Sequence, residues 1–340
     1  VYPAVAGNAF LRWALPFADV ERYTFARVAD LDTDWVVPIQ EEREVVLRLA
    51  DDTRTRPSAG ELRLGRFDVT ANLEGDTYRF VVPPQARDRS ALLVVGDLRA
   101  TVRLLPKERP EVLTADATIA LPGYLGIDEP RGRDVRGGSL QAVDGATVTF
   151  DLGLSRDVRS ATLTHSVDEP DGGGPLPSSV TELVPDGATL SSASRPTDPG
   201  DGVTASFEWV DVLGLEGHAP FSVGVRAAED EPPSVATSGA EREVVLLEST
   251  ALTFDVLATD DFGTRRIGLE WFEQRRFLNA APKSLGEKVL WAADAPDVDR
   301  AEAFATFRPK DLDVTTGPLE LRAWAVDALP GRERSYSTPI

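Results

Sequence analysis

From Thr24 onward the apolar residues recur every second position, and no stretch carries the 3.6-residue period of a long amphipathic helix. Val45, Leu47 and Leu49 alternate in this way, as do Phe67, Val69, Ala71 and Leu73, then Tyr78, Phe80 and Val82. Ala91–Val95 and Arg99–Leu105 flank Gly96-Asp97, a pair suited to a tight hairpin turn. Short alternating runs at about ten-residue spacing predict antiparallel sheets that bury one face and solvate the other. The expected fold class is all-β: tandem immunoglobulin-like or fibronectin-III-like β-sandwiches.

Two charged, proline-containing stretches interrupt the pattern, Lys107-Glu108-Arg109-Pro110 and Glu229-Asp230-Glu231-Pro232-Pro233. Proline removes a backbone donor and stiffens a linker, so both read as junctions. The expected units are a lead segment at 1–23 and sandwiches at 24–108, 111–230 and 231–340. In the lead, Ala9–Phe17 reads as a short helical turn capped by Asn8, ended by Pro16 and packed on the first sandwich. The alternative is an anchor that continues from a membrane helix. Strands are expected at 113–119, 147–152, 161–165, 203–210 and 221–227. Val167–Ser179, Ser194–Gly202 and the stretch 279–300 read as loops.

The second and third units look duplicated. Thr149-Phe150-Asp151-Leu152 matches Thr253-Phe254-Asp255-Val256, and in the same register Asp157 meets Asp261 and Leu163 meets Ile267. Further on, Phe207 and Asp211 match Phe307 and Asp311, and Pro220-Phe221 with Val223 matches Pro318-Leu319 with Leu321. Glu42–Leu47 recurs letter for letter as Glu241–Leu246, but at a different place in its unit, and is read as coincidence.

Composition narrows function. The net charge of −20 repels phosphate backbones and anionic lipid, which argues against a nucleic-acid partner. Absence of cysteine excludes disulfides, thiol nucleophiles and Cys-ligated metals. No run approaches the roughly 18 apolar residues that span a bilayer. Methionine is absent too, so the chain reads as a fragment or a processed product.

The stretches "GYLG" at 123–126, "GLEGHAPFSVGVRAAEDEPPSV" at 214–235 and "LTFDVLATDDFGTRRIGLEW" at 252–271 resemble immunoglobulin-like repeats of large planctomycete-type membrane-anchored envelope proteins of unassigned function. The likeness covers about 111–340. It implies membrane helices before such modules and a helical region after them, and it carries no catalytic residue.

Each chemical candidate has a structural counterpart. Asp261-Phe262-Gly263 spells a kinase metal-binding triplet, but no phosphate loop or strand lysine accompanies it, so a turn is the reading adopted. Asp260, Asp261 and Asp327 are calcium candidates if they converge; acidic turns are the preferred reading. His165 is expected to be packed and His218 exposed. Trp209 and Trp271 belong in cores, whereas Trp291, in the loop-rich stretch, is the candidate for a ligand-contacting ring. No catalytic set is specified and no cofactor is expected. The reading is a non-enzymatic extracytoplasmic stalk or scaffold whose partners are envelope proteins or copies of itself. A glycan- or peptide-binding module using the loops is the alternative, and accessory domains of an envelope enzyme come third.

Overall fold

The computed structural model describes residues 3–15, 23–167, 176–197, 202–273, 283–295, 298–312, 314 and 317–340. Its strands gather over three separate apolar cores, and every core is closed by residues that alternate along strands.

The first group comprises β1 (Asp34–Pro38), β2 (Arg43–Arg48), β3 (Ala59–Leu64), β4 (Phe67–Glu74), β5 (Thr77–Val82), β6 (Arg89–Val95) and β7 (Leu98–Lys107). Their order is β1-β7-β6-β3-β4-β5-β2. β4 pairs with β3 through Phe67–Asn72 and with β5 through Leu73–Glu74, so it carries the chain from one layer to the other. Tyr78, Phe80 and Val82 are fully buried, as their alternation predicts. The Gly96-Asp97 turn joins β6 to β7 with Gly96 at φ 60°, and both Asp97 carboxylate oxygens accept backbone N–H groups, from Phe25 and Ala26.

The second group is β8 (Val112–Ala120), β9 (Arg131–Asp134), β10 (Ser139–Val143), β11 (Thr147–Leu154), β12 (Val158–Val167), β13 (Leu176–Leu183), β14 (Thr189–Ser191), β15 (Arg195–Pro196), β16 (Gly202–Asp211) and β17 (Phe221–Ala228). One sheet runs β14-β11-β8-β9, the other β10-β17-β16-β12-β13. Phe150 from the first sheet meets Phe207 from the second edge-to-face across the core, centroids 5.9 Å apart.

The third group is β18 (Ser234–Ser238), β19 (Leu252–Thr259), β20 (Arg266–Glu273), β21 (Ser284–Ala292), β22 (Arg300–Phe307), β23 (Leu319–Val326) and β24 (Ser335–Tyr336). Its sheets run β18-β19-β22 and β21-β20-β23-β24. Trp271 is buried and stacks edge-on against Phe307 across the two layers. All three groups are antiparallel sandwiches of immunoglobulin-like or fibronectin-III-like strand order, apart from parallel pairings of β1 with β7 and β10 with β17.

Several sequence expectations are corrected. Helix α1 spans Pro3–Ala14, so Asn8 lies inside it and not at its cap; Pro3, which needs no amide partner, occupies its first turn. Phe10, Leu11 and Trp13 are exposed and not packed on the first sandwich. No described helix is long and apolar enough to cross a membrane. The expected loops at 167–179, 194–202 and 279–300 contain β13, β15 and β21, while 168–175, 198–201, 279–282 and 296–297 lie outside the described residues. The duplication holds in its first half only. Phe150 and Phe254 sit on the equivalent strands β11 and β19, and Leu163 and Ile267 on β12 and β20. Phe207 and Phe307, however, lie on β16 and β22, which belong to opposite layers, and Pro220–Val223 and Pro318–Leu321 meet β17 and β23, which are not counterparts either. The Glu42–Leu47 stretch forms most of β2, whereas the same letters at 241–246 form no strand.

The accessible surface is 20613 Å². A compact monomer of 36.7 kDa exposes about 13,500 Å², and three free modules of a third that mass about 18,000 Å².

Candidate functional site at the module junctions

Polar side chains concentrate where one sandwich meets the next. At the first junction, Arg109 of the linker pairs with Glu41 at 2.9 Å and donates to the Glu216 carbonyl at 3.1 Å. Arg43, at the start of β2, donates to Val36 in its own module and to Gly214 across the junction. The indole N–H of buried Trp209 reaches the Pro110 carbonyl at 3.3 Å. Asp211 closes β16 with no exposed surface; it accepts the amides of Leu213 and Leu215 and pairs with Arg156 at 2.5 Å. Arg156 then extends to the Glu108 carbonyl of the linker at 3.2 Å. Glu41 is held below the ordinary carboxylate range, first by its hydrogen bond from Arg109.

The second junction repeats this scheme. Asp327 follows β23, accepts the amide of Leu329 at 3.0 Å and pairs with Arg332 at 2.6 Å. Arg332 also lies 3.5 Å from the Asp230 carboxylate and donates to the Asp230 carbonyl in the linker. Tyr124, on a short 3-10 turn of the second module (Gly123–Leu125), donates to Asp230 at 3.0 Å. Arg265 donates across the junction to the Leu125 carbonyl. Phe262 and Ala328 of the third module pack with Tyr124 against the core of the second. Burial and the neighbouring Asp230 together push the Tyr124 phenol up.

Asp260 sits at this junction with both carboxylate oxygens buried and without a hydrogen-bond partner among the described residues. Burial raises its pKa to about 6, helped by Asp261, Asp327 and Asp230. Burial also raises Asp261 and Asp327. The three calcium candidates thus share one acidic neighbourhood. Asp327 is engaged by Arg332, and no group of three or more acidic or histidine side chains among the described residues is arranged to hold a metal ion. Asp261-Phe262-Gly263 forms the β19–β20 turn, with Gly263 at φ 110° and Phe262 turned to the second module and not into its own core.

The remaining candidates lie apart. Trp291 is in strand β21 opposite Ile267, half-buried against the third core, where the sequence had placed it in an open loop. His165 is half-buried on β12, lowered first by burial and then by Arg195. It lines a cavity of about 30 Å³ between the sheets of the second module, room for about one water. His218 is exposed, 4.0 Å from Glu41 at the first junction. Sequence reasoning missed Tyr124 and Arg332 and named Arg109 and Asp230 only as parts of the two linkers. The usable signal was a shared string, Val210-Asp211-x-Leu213 and Val326-Asp327-x-Leu329, in which each aspartate caps its own turn.

No family profile matches the chain, and no curated protein does. Among solved structures, the fibronectin(III)-like modules of Clostridium thermocellum CbhA match at 13% identity and TM-score 0.29, over 60% of this chain and 94% of that one. A complex of Dpr2 Ig1-Ig2 with DIP-Theta Ig1-Ig3 matches at 11% and 0.23, over 92% and 98%. The ICAM-5 D1-D4 ectodomain fragment matches at 14% and 0.22, over 92% and 76%. At these scores the fold assignment rests on the strand order given above.

Proposed function

We propose that this chain is a non-enzymatic, extracytoplasmic structural and interaction protein: a stalk or scaffold of tandem immunoglobulin-like modules in a bacterial envelope, with other envelope proteins or further copies of itself as partners. One observation carries the reading. At both junctions an aspartate that ends a strand holds an arginine, and that arginine grips a carbonyl of the linker, Glu108 or Asp230. A linker tied at its backbone transmits orientation; a merely flexible one does not. Such a chain acts by spacing and presenting surfaces, which requires neither a catalytic residue nor a cofactor.

Small-angle scattering tests it. Modules held end to end reach on the order of 100 Å, whereas a compact chain of this length has a radius of gyration near 20 Å. The expected result is an elongated distance distribution with a radius of about 30 Å, unchanged between low and moderate salt. A radius near the compact value, with a globular distribution, would remove the stalk reading.

A further inference from the structure

Strand β22 ends its sheet, paired with β19 on one side and with no described strand on the other. All of Arg300–Phe307 stays in register with Leu252–Thr259, with no bulge and no proline. The phase of the ladder follows from the Asp260 amide, which donates to the Asp299 carbonyl at 2.9 Å. Hydrogen-bonded pairs alternate along an antiparallel ladder, so Ala301, Ala303, Ala305 and Phe307 spend their backbone groups on β19. Arg300, Glu302, Phe304 and Thr306 turn theirs outward, and no described backbone group meets them. The side chains divide in the same way. Ala301, Ala305 and Phe307 are buried in the third core, whereas Phe304 stands 64% exposed on the outer face of the sheet.

A regular free edge of this length invites pairing, and other edges of the chain are blunted against it. β9 sets Arg131 and Arg133 on the core side of its sheet, opposite buried Ile119 and Ala117. β13 shifts register beside Pro177, and β21 shifts twice. The end of β2 is covered, because the Arg48 carbonyl accepts the Ala29 amide and the Ala50 amide donates to Arg27. β22 carries none of these devices. Its core-facing side chains before Phe307 are alanines, whose small size lets a second backbone approach the edge.

We infer that β22 is a self-pairing edge: two copies of the chain join their β22 strands antiparallel about a two-fold axis at Phe304, and their β18-β19-β22 sheets become one. Opposed residues must share a face, and the side chains then choose the register. Centred on Phe304, the pairing sets that ring against its copy, Ala303 against the copy's Ala305, and Glu302 against the copy's Thr306. Centred on Glu302 it would oppose two carboxylates, and centred on Ala303 it would set Glu302 against the Phe304 ring. Arg300 falls opposite the copy's Arg308, but Glu302 already holds the first at 2.7 Å and Asp311 the second at 3.0 Å. A second copy is the partner because the strand answers itself, with an exposed ring at the axis and an alanine on either side. So small a contact is weak in solution, and copies held side by side supply the local concentration that it needs. The pairing deepens the scaffold reading and rests on it only for that crowding; scattering from the dilute single chain tests elongation alone, so the two fail separately.

Sedimentation equilibrium of the full chain tests it. The weight-average mass should rise with concentration from 36.7 kDa toward twice that value. Association should strengthen severalfold from low to physiological salt, because each copy carries a charge of −20 that salt screens. F304K and T306P should each weaken it at least tenfold while the third-module melting transition is retained. The first adds a charge at the axis, and the second removes an outward N–H that β19 does not use. The chain lacks cysteine, so single substitutions report the register. E302C mixed with T306C should give a disulfide dimer under mild oxidation, and neither should alone, since hydrogen-bonded opposite residues lie about 5.5 Å apart at Cα. A chain that stays monomeric to its highest soluble concentration overturns the proposal and leaves the stalk reading to its own test. A dimer that survives both F304K and T306P overturns it too, as does E302C crosslinking faster alone than in the mixture, which sets a different register.

Discussion

Replacing Asp260 with Asn removes a charge that the second junction buries without a hydrogen-bond partner. The carboxyl titrates at 3.8 when unperturbed and at about 6 in the folded chain. A folded pKa above the unfolded one means that the native state binds the proton more tightly, so stability from this group is full below about pH 4 and is lost as pH rises through 6. Two pKa units at 1.36 kcal/mol each set an upper bound of about 3 kcal/mol for the penalty at neutral pH. Asp260 is only half-buried, so water screens part of it and leaves about 1–2 kcal/mol. For a module of roughly 100 residues, each kcal/mol moves the melting midpoint by about 4–8 °C. Differential scanning calorimetry at pH 7.5 and 5.0 reads this directly. D260N should melt roughly 5–15 °C above the parent in the third-module transition at pH 7.5. The gap should shrink by about half at pH 5.0, where the parent carboxyl is mostly protonated. Asp261 and Asp327 are also raised and give both proteins a slope of the same sign, which the comparison cancels. Glu41 and Asp34 are lowered, so their contribution disappears only below the ordinary carboxylate range and outside this window. A D260N midpoint at or below the parent at pH 7.5, with parallel pH slopes, would refute the reasoning.

Two other substitutions probe the framework. R332A strips the cation from buried Asp327 and Asp230 and should cost about 3–5 kcal/mol, with R332K recovering part of it; scattering should show the second junction loosened in R332A even where the modules stay folded. G268A places a methyl about where the Trp324 ring lies, since a Cβ there would meet ring atoms at 2.2 Å; overpacking of this kind costs about 1–3 kcal/mol and should show as a lower third-module midpoint with the other transitions unmoved.

What the sequence makes legible follows burial. Strands with one face on a core announce themselves, as Tyr78-x-Phe80-x-Val82 does, because solvent and core impose opposite demands on neighbouring residues. Edge strands do not. β9 is Arg-Gly-Arg-Asp with no buried position, and β21 has no fully buried side chain, so neither displays an alternation to read. Trp291 was misplaced for that reason: an edge strand with polar residues on both faces looks like a loop. The junctions themselves were legible as charged, proline-bearing stretches, but the contacts made at them were invisible, for another reason. Their groups come from separate stretches of chain, and Tyr124 and Asp230, 106 positions apart, carry no mark in sequence of their contact.

The slip in the duplicated register has the same root. Any two exposed-and-buried strands superpose after an even shift, so apolar alternation cannot distinguish β22 from β23 as the counterpart of β16. Turn chemistry can, because it depends on one residue type at one place. Asp211 and Asp327 each end a strand and accept the amide two residues on, at 2.9 and 3.0 Å. Aligning on them brings Ala205, Phe207 and Trp209 opposite Leu321, Ala323 and Ala325, all of them core positions of their modules. The same aspartates anchor the junctions. Asp211 holds Arg156, which comes from the β11–β12 turn, while Asp327 holds Arg332 from its own turn. The arginine has changed its origin in the chain, yet in both cases it ends on a linker carbonyl. A buried carboxylate needs a cation, and a linker carbonyl beside it offers that cation its second partner. Wherever a further module of this type follows a charged, proline-bearing linker, the strand-ending aspartate is the residue from which its attachment can be located.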